Sequence, residues 1–401
     1  MAIHRIKGAI QHYAWGGKHF LPNLLDIENT DKEPHAELWM GTHIKGPAKI
    51  LNNKKPNDLA EYIKKHAKRI LGKEVIAKFG EQLPFLFKVL DVNEMLSIQA
   101  HPSKKAAEEG FAKEEESGID RMAYNRTYRD DNHKPEIAIA ITNSWLLHGF
   151  KSIEELLEVL AIQEFRVLVP SFKDNNVYSL YRAVMEMPQE SVDFILDPLW
   201  KRLQPAYEAG QLEKNQADYW AAKAFEKYTI DGHYDRGIFS IYLFNLVPLK
   251  KGEGIFQDAG IPHAYLEGIN VELMANSDNV FRGGLTQKYI NVPELMTHLN
   301  FEPVTPKILV GSPISSTEKV FKTSAPDFEL SQIKLDKGQI YRIEKHASVQ
   351  IIIVIEGEGA ILGGSKELTI KKGEIFLIEA NTPYKILPKQ EALTFKAKVP
   401  V

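Results

Sequence analysis

The order of apolar and polar positions divides the chain into three parts. Residues 1–100 show short strand-like runs broken by turns, with one helical stretch around Asn57 to Gly80. From about Ser152 to Asp235, apolar residues recur at steps of three and four, which is the spacing of amphipathic helices. From Ile238 to Val401 the pattern returns to strands separated by glycine and proline turns. The sequence therefore predicts two β regions with a helical block between them.

The segment from Pro84 to Pro102 predicts the clearest pair of strands in the first part. Its runs FLFKVL and LSIQAH are separated by the polar turn Asp91 to Glu94, which is typical of two neighbouring strands. On this interpretation Lys88 lies on the strand beside the one that carries Gln99. Strong helix formers follow Pro102, so we expect Pro102 to be the first residue of a helix.

A short internal repeat relates the two β regions. Residues 250–266 (KKGEGIFQDAGIPHAYL) align with residues 371–387 (KKGEIFLIEANTPYKIL) without a gap at an offset of 121, and seven positions are identical. Each copy reads as a Gly-Glu turn, a strand, a second turn and a proline before the next strand, which predicts a corner of a small β-barrel. His263 of the first copy corresponds to Tyr384 of the second. If His263 binds a metal, the C-terminal barrel has lost the site, and the chemistry is expected in the first barrel.

Composition limits the classes of function. The chain has 401 residues, 44% hydrophobic and 26% charged, so we expect a globular protein of two or three domains. The net charge of −3 does not favour nucleic-acid binding. The opening segment lacks the apolar core of a signal peptide, and no apolar run is long enough to span a bilayer, so we expect a cytoplasmic protein. Because the chain has no cysteine, any metal must be bound through nitrogen and oxygen.

Four residues at predicted strand ends form a candidate metal site. Gln99 and His101 are two positions apart on a predicted strand, so both side chains leave the same face. Glu136 opens the strand IAIAI, and His263 follows Pro262 at another strand start. These donors would leave a divalent ion with a net charge of about +1, which can polarise the oxygens of a substrate. Taken one at a time, these residues are better explained without a metal, with Gln99 hydrogen-bonded in the core, His101 and His263 capping turns, and Glu136 on the surface.

Six ordered segments carry a resemblance to a known family: QHYAWGG, PHAELWMGTH, LSIQAHPSK, DNHKPEIAIA, GIPHAYLEG and DNVFRGGLTQKY. Over nearly its full length the chain resembles type I mannose-6-phosphate isomerases (phosphomannose isomerases). The resemblance implies a mainly β fold with an α-helical insert, in which two cupin (double-stranded β-helix or jelly-roll) barrels accompany a helical domain. The implied parts are a catalytic cupin (1–148 and 237–312), a helical insert (149–236) and a degenerate C-terminal cupin (313–401).

The resemblance also implies an activity and a cofactor, namely interconversion of mannose 6-phosphate and fructose 6-phosphate with one Zn²⁺ ion per subunit. The family's zinc ligands correspond to Gln99, His101, Glu136 and His263, and its essential arginine corresponds to Arg282. We expect a small-molecule sugar phosphate as the partner, no nucleic acid or membrane, and a monomer.

Isomerisation moves a proton between C1 and C2 through an enediol(ate), which requires a base, a cation for the developing oxyanion and a clamp for the phosphate. We expect Arg282 over the enediolate and Glu272 as the base, with His133 or a zinc-bound water as competitors for that role. The two glycines after Arg282 are expected to let the backbone approach the ligand. The remaining expected substrate contacts are Lys88 and Lys134 for phosphate or sugar oxygens, Asp278 and Lys288 for ring opening, and Trp15 and Tyr265 as pocket wall and hydroxyl donor.

Two other functions fit parts of the pattern. A cupin oxygenase would bind iron through two histidines and one carboxylate and keep positions open for dioxygen. A sugar-phosphate sensor or structural cupin would bind without catalysis. The fourth donor Gln99 and the lysine and arginine setting favour the isomerase over both.

Overall fold

The computed structural model describes residues 2–51, 56–364 and 366–401. Helices α1 to α10 span Phe20–Leu25, Leu59–Ile70, Lys73–Phe79, Lys104–Glu116, Ile153–Ala161, Val177–Glu186, Gln189–Glu208, Ala217–Tyr228, Gly237–Leu243 and Val292–His298, and a 3-10 helix spans Gln163–Asn175. Strands β1 to β12 span Ile3–Lys7, Ala9–Gln11, Glu37–Met40, Lys49–Ile50, Asn57–Asp58, Phe85–Val92, Ile98–Ala100, Glu136–Ala140, Ser144–Phe150, Phe244–Leu249, Gly254–Gln257 and His263–Ala275. Strands β13 to β23 span Phe281–Gly284, Ser312–Pro313, Glu318–Phe321, Glu329–Leu335, Tyr341–Ile343, Gln350–Glu356, Glu358–Gly363, Lys366–Lys371, Ile375–Ile378, Tyr384–Pro388 and Ala392–Lys398.

The fold is mainly β, with a helical block between β9 and β10, as the sequence predicts. Two reciprocal hydrogen bonds mark the start of helix α5. The Ser152 side chain accepts from the Glu155 backbone N–H, and the Glu155 side chain accepts from the Ser152 backbone N–H. Such a capping box satisfies two N–H groups that have no partner within the helix. The apolar faces of α5 to α8 then pack into one core with β9.

Two helices interrupt the region where the sequence predicts only strands from Ile238 onward. Residues Gly237–Leu243 form α9, whose seven residues are all buried, and Val292–His298 form α10. A short helix with no polar face lacks the amphipathic period, so the pattern could not distinguish it from a buried strand. Helix α4 also begins later than predicted, because Ser103 caps it by accepting a hydrogen bond from Ala106 N–H and Pro102 lies outside it.

The predicted strand pair between Pro84 and Pro102 is wrong as a pair, although both strands exist. Strand β6 lies between β3 and β12, whereas β7 lies between β12 and β13. The 13-residue β12 pairs with β7 through its first residue, His263, and with β6 through residues 268–275. Lys88 therefore does not lie on the strand next to Gln99, because β12 separates the two strands.

The internal repeat is confirmed in the backbone. Strands β11 and β21 have the same bounds within the two copies, and β12 and β22 begin at the matched positions His263 and Tyr384. Both turns before them contain a glycine with positive φ, +87° at Gly252 and +84° at Gly373. In each turn a glutamate accepts a hydrogen bond from the first backbone N–H of the copy, at 2.8 Å in the first and 3.0 Å in the second.

Among the described residues, no helix is long and apolar enough to cross a membrane.

Candidate active site

Cross-strand register places a row of charged side chains on one face of β3, β6, β12 and β8. Lys88 is opposite Glu272, and Glu37 and Glu136 lie on the same face because they are paired with Leu90 and Met274. Residues two apart on a strand share a face, and directly opposed residues do too. The intervening positions on these strands, including Leu38, Val89, Ile137, Val271 and Leu273, lie in an apolar core on the other side. One face of the sheet thus builds the core and the other presents charge.

The neighbouring strands add a second row. Gln99 on β7 is opposite His263 on β12 and opposite Arg282 on β13, so these three side chains share a face. His101 follows the end of β7 and is fully buried, as is His263. The predicted metal ligands from three distant parts of the sequence are therefore brought to one place by strand pairing.

Three of these residues, His101, Glu136 and His263, form a cluster with metal-site dimensions. Their donor atoms all lie within 4.8 Å of one another. His101 Nε2 is 3.4 Å from Glu136 Oε1, and His263 Nε2 is 3.5 Å from Glu136 Oε2. Donors about 2.0–2.2 Å from a tetrahedral zinc ion are separated by about 3.3–3.6 Å. The spacing therefore matches ligands arranged around an ion of that size.

Hydrogen bonds to Nδ1 orient both imidazole rings so that each presents Nε2 to the cluster. His101 Nδ1 bonds to the backbone carbonyl of Asn279 at 2.8 Å, and His263 Nδ1 bonds to that of Ile261 at 2.9 Å. A carbonyl can only accept, so each Nδ1 carries the proton and each neutral ring presents a lone pair at Nε2. Both Nε2 atoms and Glu136 Oε2 are buried and have no hydrogen-bond partner among the described residues. Three buried acceptors facing each other fit a bound cation.

The electrostatics of this cluster keep its donors in the forms that bind metal. Burial and the nearby Lys134 lower the pKa of His101 to about 4, although Glu136 opposes them. Burial opposes ionisation of Glu136, but Lys134, 2.9 Å away, and His101 outweigh it and hold the pKa of Glu136 well below its ordinary value. At neutral pH the cluster therefore combines a neutral imidazole at His101 with an ionised carboxylate at Glu136.

A second buried group, Lys88 with Glu272 and Glu37, lies beside the cluster. Lys88 Nζ donates to Glu272 Oε1 at 2.8 Å and lies 3.6 Å from Glu37 Oε2. Burial lowers the pKa of Lys88, but Glu272, Glu37 and Glu136 outweigh burial and raise it. Burial raises the pKa of Glu272, with Glu136 and Glu37 adding to the effect and Lys88 opposing it.

A cavity of about 590 Å³ opens onto both groups, which is a volume suited to a small molecule. Nine of the predicted site residues line it: Trp15, Lys88, Gln99, Lys134, Glu136, Tyr265, Glu272, Arg282 and Lys288. His101 and His263 lie behind Glu136, completely buried. The Tyr265 hydroxyl is buried without a hydrogen-bond partner among the described residues, and burial, together with the charges of Glu272 and Glu136, raises its pKa well above the ordinary value.

Comparison with known proteins decides the family. The model for the phosphomannose isomerase type I catalytic domain matches residues 3–153, and that for the mannose-6-phosphate isomerase cupin domain matches residues 317–387. A mannose-6-phosphate isomerase of Salmonella typhimurium is 37% identical over 390 residues, which cover 94% of this chain and 95% of the relative. That of Escherichia coli is 35% identical, with the same coverage of both chains. The chain belongs to the type I phosphomannose isomerase family.

Solved structures of phosphomannose isomerases share the whole fold. A Salmonella typhimurium mannose 6-phosphate isomerase bound to fructose 6-phosphate and zinc matches with a TM-score of 0.88 at 34% identity, over 98% of this chain and 99% of that one. A zinc-bound mannose 6-phosphate isomerase also has a TM-score of 0.88, at 33% identity and the same coverage. The predicted family and its cupin domain are confirmed.

Besides His101 and His263, two further predicted site residues, His133 and Asp278, lie outside the cavity lining. His133 Nε2 is 2.8 Å from Asp327 Oδ2, an ion pair if the imidazole is protonated. Asp278 contacts Lys45 at 2.8 Å and His43 at 3.4 Å, and the pKa of Asp278 is below its ordinary value because these bonds outweigh its burial. Their roles in substrate binding stay predictions.

The two glycines after Arg282 pack closely against the helices. A β-carbon at Gly283 would lie 2.9 Å from the Tyr181 hydroxyl, and one at Gly284 would lie 2.4 Å from the Gly237 α-carbon. Tyr181 belongs to α6 and Gly237 to α9. The glycines therefore allow close packing of the helices, and the approach of their backbone to a ligand stays a prediction.

Sequence reasoning missed several residues that line the cavity. Glu37 is a buried carboxylate on β3, and a lone acid beside the apolar run LWM is the signal that could have revealed it. Lys227 and Tyr228, at the end of α8, also line the cavity. They come from the helical block, where a helix end gives no local sign that it lies near a site formed by distant parts of the sequence.

Proposed function

We propose that the protein is a zinc-dependent aldose–ketose isomerase that interconverts mannose 6-phosphate and fructose 6-phosphate through an enediol(ate). The observation that carries this proposal is the pair of buried groups on one cavity wall. The ligand-like cluster of His101, Glu136 and His263 adjoins Lys88 and Glu272. Two cations without an acidic partner among the described residues, Arg282 and Lys288, line the same cavity. A metal, a carboxylate base and an anion site are the parts that this isomerisation requires.

Gln99, His101, Glu136 and His263 would hold the zinc ion. Gln99 lines the cavity next to Glu136 and is opposite His263 in the sheet, which supports its amide oxygen as the fourth donor. When bound, zinc supplies a Lewis acid that polarises a sugar oxygen. Lys134 stabilises the ionised Glu136 and leaves its Oε2 free of hydrogen bonds.

Glu272 would move the proton between C1 and C2. A carboxylate whose pKa is raised takes a proton more readily, and Glu272 is buried on the cavity wall with a raised pKa. Lys88, bonded to Glu272 at 2.8 Å, orients the carboxylate and limits the rise of its pKa. Tyr265, on the same strand and with a free hydroxyl, is placed to donate to a sugar oxygen.

Arg282 and Lys288 would bind the negative charge of the substrate. Neither side chain has an acidic or hydrogen-bonding partner among the described residues, and both line the cavity. Burial lowers the pKa of Arg282, with Arg129 adding to the effect, and burial and Arg282 lower that of Lys288. A bound anion would stabilise these two cations, because no carboxylate compensates their charge. Lys88 and Lys134 already contact carboxylates, so they are better suited to bind sugar hydroxyls. Arg282 suits the enediolate, because its planar guanidinium stays charged.

We propose the finer architecture as two cupin barrels, with residues 1–148 and 237–312 in the first, 313–401 in the second and 149–236 as the insert. The matched turns and strands of the repeat support this division. A cytoplasmic monomer remains our expectation for the protein in the cell.

A coupled assay for fructose 6-phosphate tests the activity. We expect turnover of mannose 6-phosphate that is lost on chelation, returns with one equivalent of zinc and consumes no oxygen. Binding of mannose 6-phosphate without product in the zinc-loaded protein would contradict the proposal in favour of a sensor. Oxygen consumption would indicate an oxygenase.

A further inference from the structure

The backbone that follows Arg282 is held by one carboxylate from the edge of the helical block. Asp235 lies just before α9, and its Oδ1 accepts hydrogen bonds from Gly237 N–H at 2.7 Å and Leu285 N–H at 2.8 Å. Its Oδ2 accepts from Thr286 N–H at 3.1 Å. Two of these three donors belong to the turn between Arg282 and Lys288, so a single side chain connects the helical block to that turn.

The turn has an unusual backbone conformation at Gly284 and Leu285. Leu285 has φ +51°, which lies in the left-handed region that residues other than glycine seldom adopt. Gly284 has φ +131° and packs so closely on Gly237 that no β-carbon fits. The three hydrogen bonds to Asp235 satisfy backbone groups that this conformation would otherwise leave without partners.

The partly buried carboxylate of Asp235 forms no ion pair among the described residues. Its hydrogen-bond partners there are the three backbone N–H groups; burial raises the pKa of Asp235, while those hydrogen bonds and the charge of the neighbouring Arg236 oppose the rise. A carboxylate bonded to backbone N–H groups alone acts by fixing the path of the backbone.

We propose that Asp235 is a positioning residue for the substrate-binding turn: it fixes residues 284–286 and thereby sets where Arg282 and Lys288 place their charges. This inference rests on the proposed function, in which those two cations bind the sugar phosphate. It assigns the helical block a part in catalysis, because the carboxylate that holds the turn lies at the end of that block. Asp235 itself does not line the cavity and does not touch the substrate.

The test compares Asp235→Asn with Asp193→Asn in the zinc-loaded protein. Asparagine has nearly the same shape but only one acceptor oxygen, so at least one of the three N–H groups then faces an NH₂ group. Asp193 is the matched control, because it accepts from Tyr234 N–H at 2.9 Å, Gln189 Nε2 at 2.9 Å and His233 Nδ1 at 2.7 Å in the same block but makes no bond to the turn.

We expect Asp235→Asn to raise the KM for mannose 6-phosphate at least about tenfold and to lower kcat, the effect of losing a charge-assisted hydrogen bond that orders the turn. Zinc content stays near one ion per chain, and Asp193→Asn keeps both constants within about twofold of wild type. Thr286→Pro, which removes one N–H at a partly exposed position, is expected to raise KM in the same way and serves if Asp235→Asn does not fold.

The outcomes separate this inference from the proposed function. A wild-type protein that forms no fructose 6-phosphate overturns the proposed function. An active wild type with an Asp235→Asn variant whose KM equals that of Asp193→Asn overturns the positioning role. Where Asp235→Asn does not fold, a Thr286→Pro variant with the KM of Asp193→Asn overturns it.

Discussion

The backbone carbonyl of Asn279 accepts a hydrogen bond of 2.8 Å from Nδ1 of His101, 178 positions earlier in the chain. The Asn279 side chain fixes this carbonyl, because its Oδ1 accepts from Arg129 N–H at 2.7 Å and its Nδ2 donates to the carbonyls of Asp130 at 2.7 Å and Asn132 at 2.9 Å. One fully buried amide thus connects the loop before Glu136 with the ring that presents Nε2 to the metal site.

Asn279→Ala should therefore weaken zinc binding without removing a ligand. Groups that orient metal ligands change metal affinity by about 10–100-fold when they are lost. Competition with a chelator measures the effect. Asn276→Ala is the control three residues earlier, because the Asn276 side chain makes no hydrogen bond among the described residues. Equal zinc affinity in the two variants would show that the Asn279 network does not orient His101.

Glu272→Gln should lower kcat by about 10²–10⁴-fold and change KM little, because it removes the proton acceptor and keeps the shape of the side chain. The Glu272 pKa is raised, and the base acts in its ionised form. Activity of the wild type should therefore fall as the pH decreases through a value above that of an ordinary glutamate. Glu267→Gln, on the same strand but paired with Lys214 in the helical block, is the control. A variant of Glu272 with near-wild-type kcat would assign the proton transfer to another group.

Arg282→Ala should keep the fold and the zinc ion and lose about 10²–10³-fold in kcat, since loss of one group that stabilises a developing oxyanion has an effect of this size. Arg282→Lys should restore little, because an ammonium does not reproduce the planar guanidinium. Arg182→Ala, which removes an exposed ion pair with Glu186 on α6, controls for loss of an arginine. Steady-state kinetics measures the loss of kcat, and a parallel zinc assay shows that the ion is retained. Wild-type turnover in Arg282→Ala would exclude the residue from the chemistry.

The C-terminal part of the chain, residues 313–401, should contribute stability and not chemistry. Its interior holds a buried Lys396–Glu318 ion pair at 2.6 Å, and Tyr341 donates to Glu318 at 2.7 Å. Lys396→Met leaves that carboxylate buried without its cation, so the free energy of unfolding should fall by about 3–5 kcal/mol. Urea denaturation measures the loss, and kcat and KM of the folded fraction should equal those of wild type. Altered kinetic constants at full folding would show that this region takes part in the site.

Much of the fold could be predicted because its elements have their own signals. The insert helices have the three- and four-residue period, and the repeat marks the same turn twice, down to the positive φ at Gly252 and Gly373. The neighbours of β6 and β7 in the sheet could not be predicted. The 13-residue β12, more than 150 residues later in the chain, lies between these two strands. Which strands are neighbours depends on tertiary packing and not on the polarity of one turn.

The candidate site likewise contains residues that the sequence could predict and residues that it could not. Glu136 and His263 each begin a strand, Gln99 lies within β7 and His101 directly follows it. Their positions at or near predicted strand ends made them candidate donors before any geometry was known. Glu37 reaches the cavity through strand register, and the lone acid beside LWM was its only local signal. Tyr228 reaches the cavity through the docking of α8, which no local pattern indicates. The role of Asp235 was invisible for the same reason, since its partners Leu285 and Thr286 are 50 and 51 residues away.

Anomalous X-ray scattering at the zinc edge, from crystals of the protein loaded with one equivalent of zinc, tests the central claim most directly. We expect a single peak about 2.0–2.2 Å from His101 Nε2, His263 Nε2 and a Glu136 oxygen, with Gln99 as the fourth protein donor. A peak elsewhere, or no peak between the two imidazoles, would contradict the account.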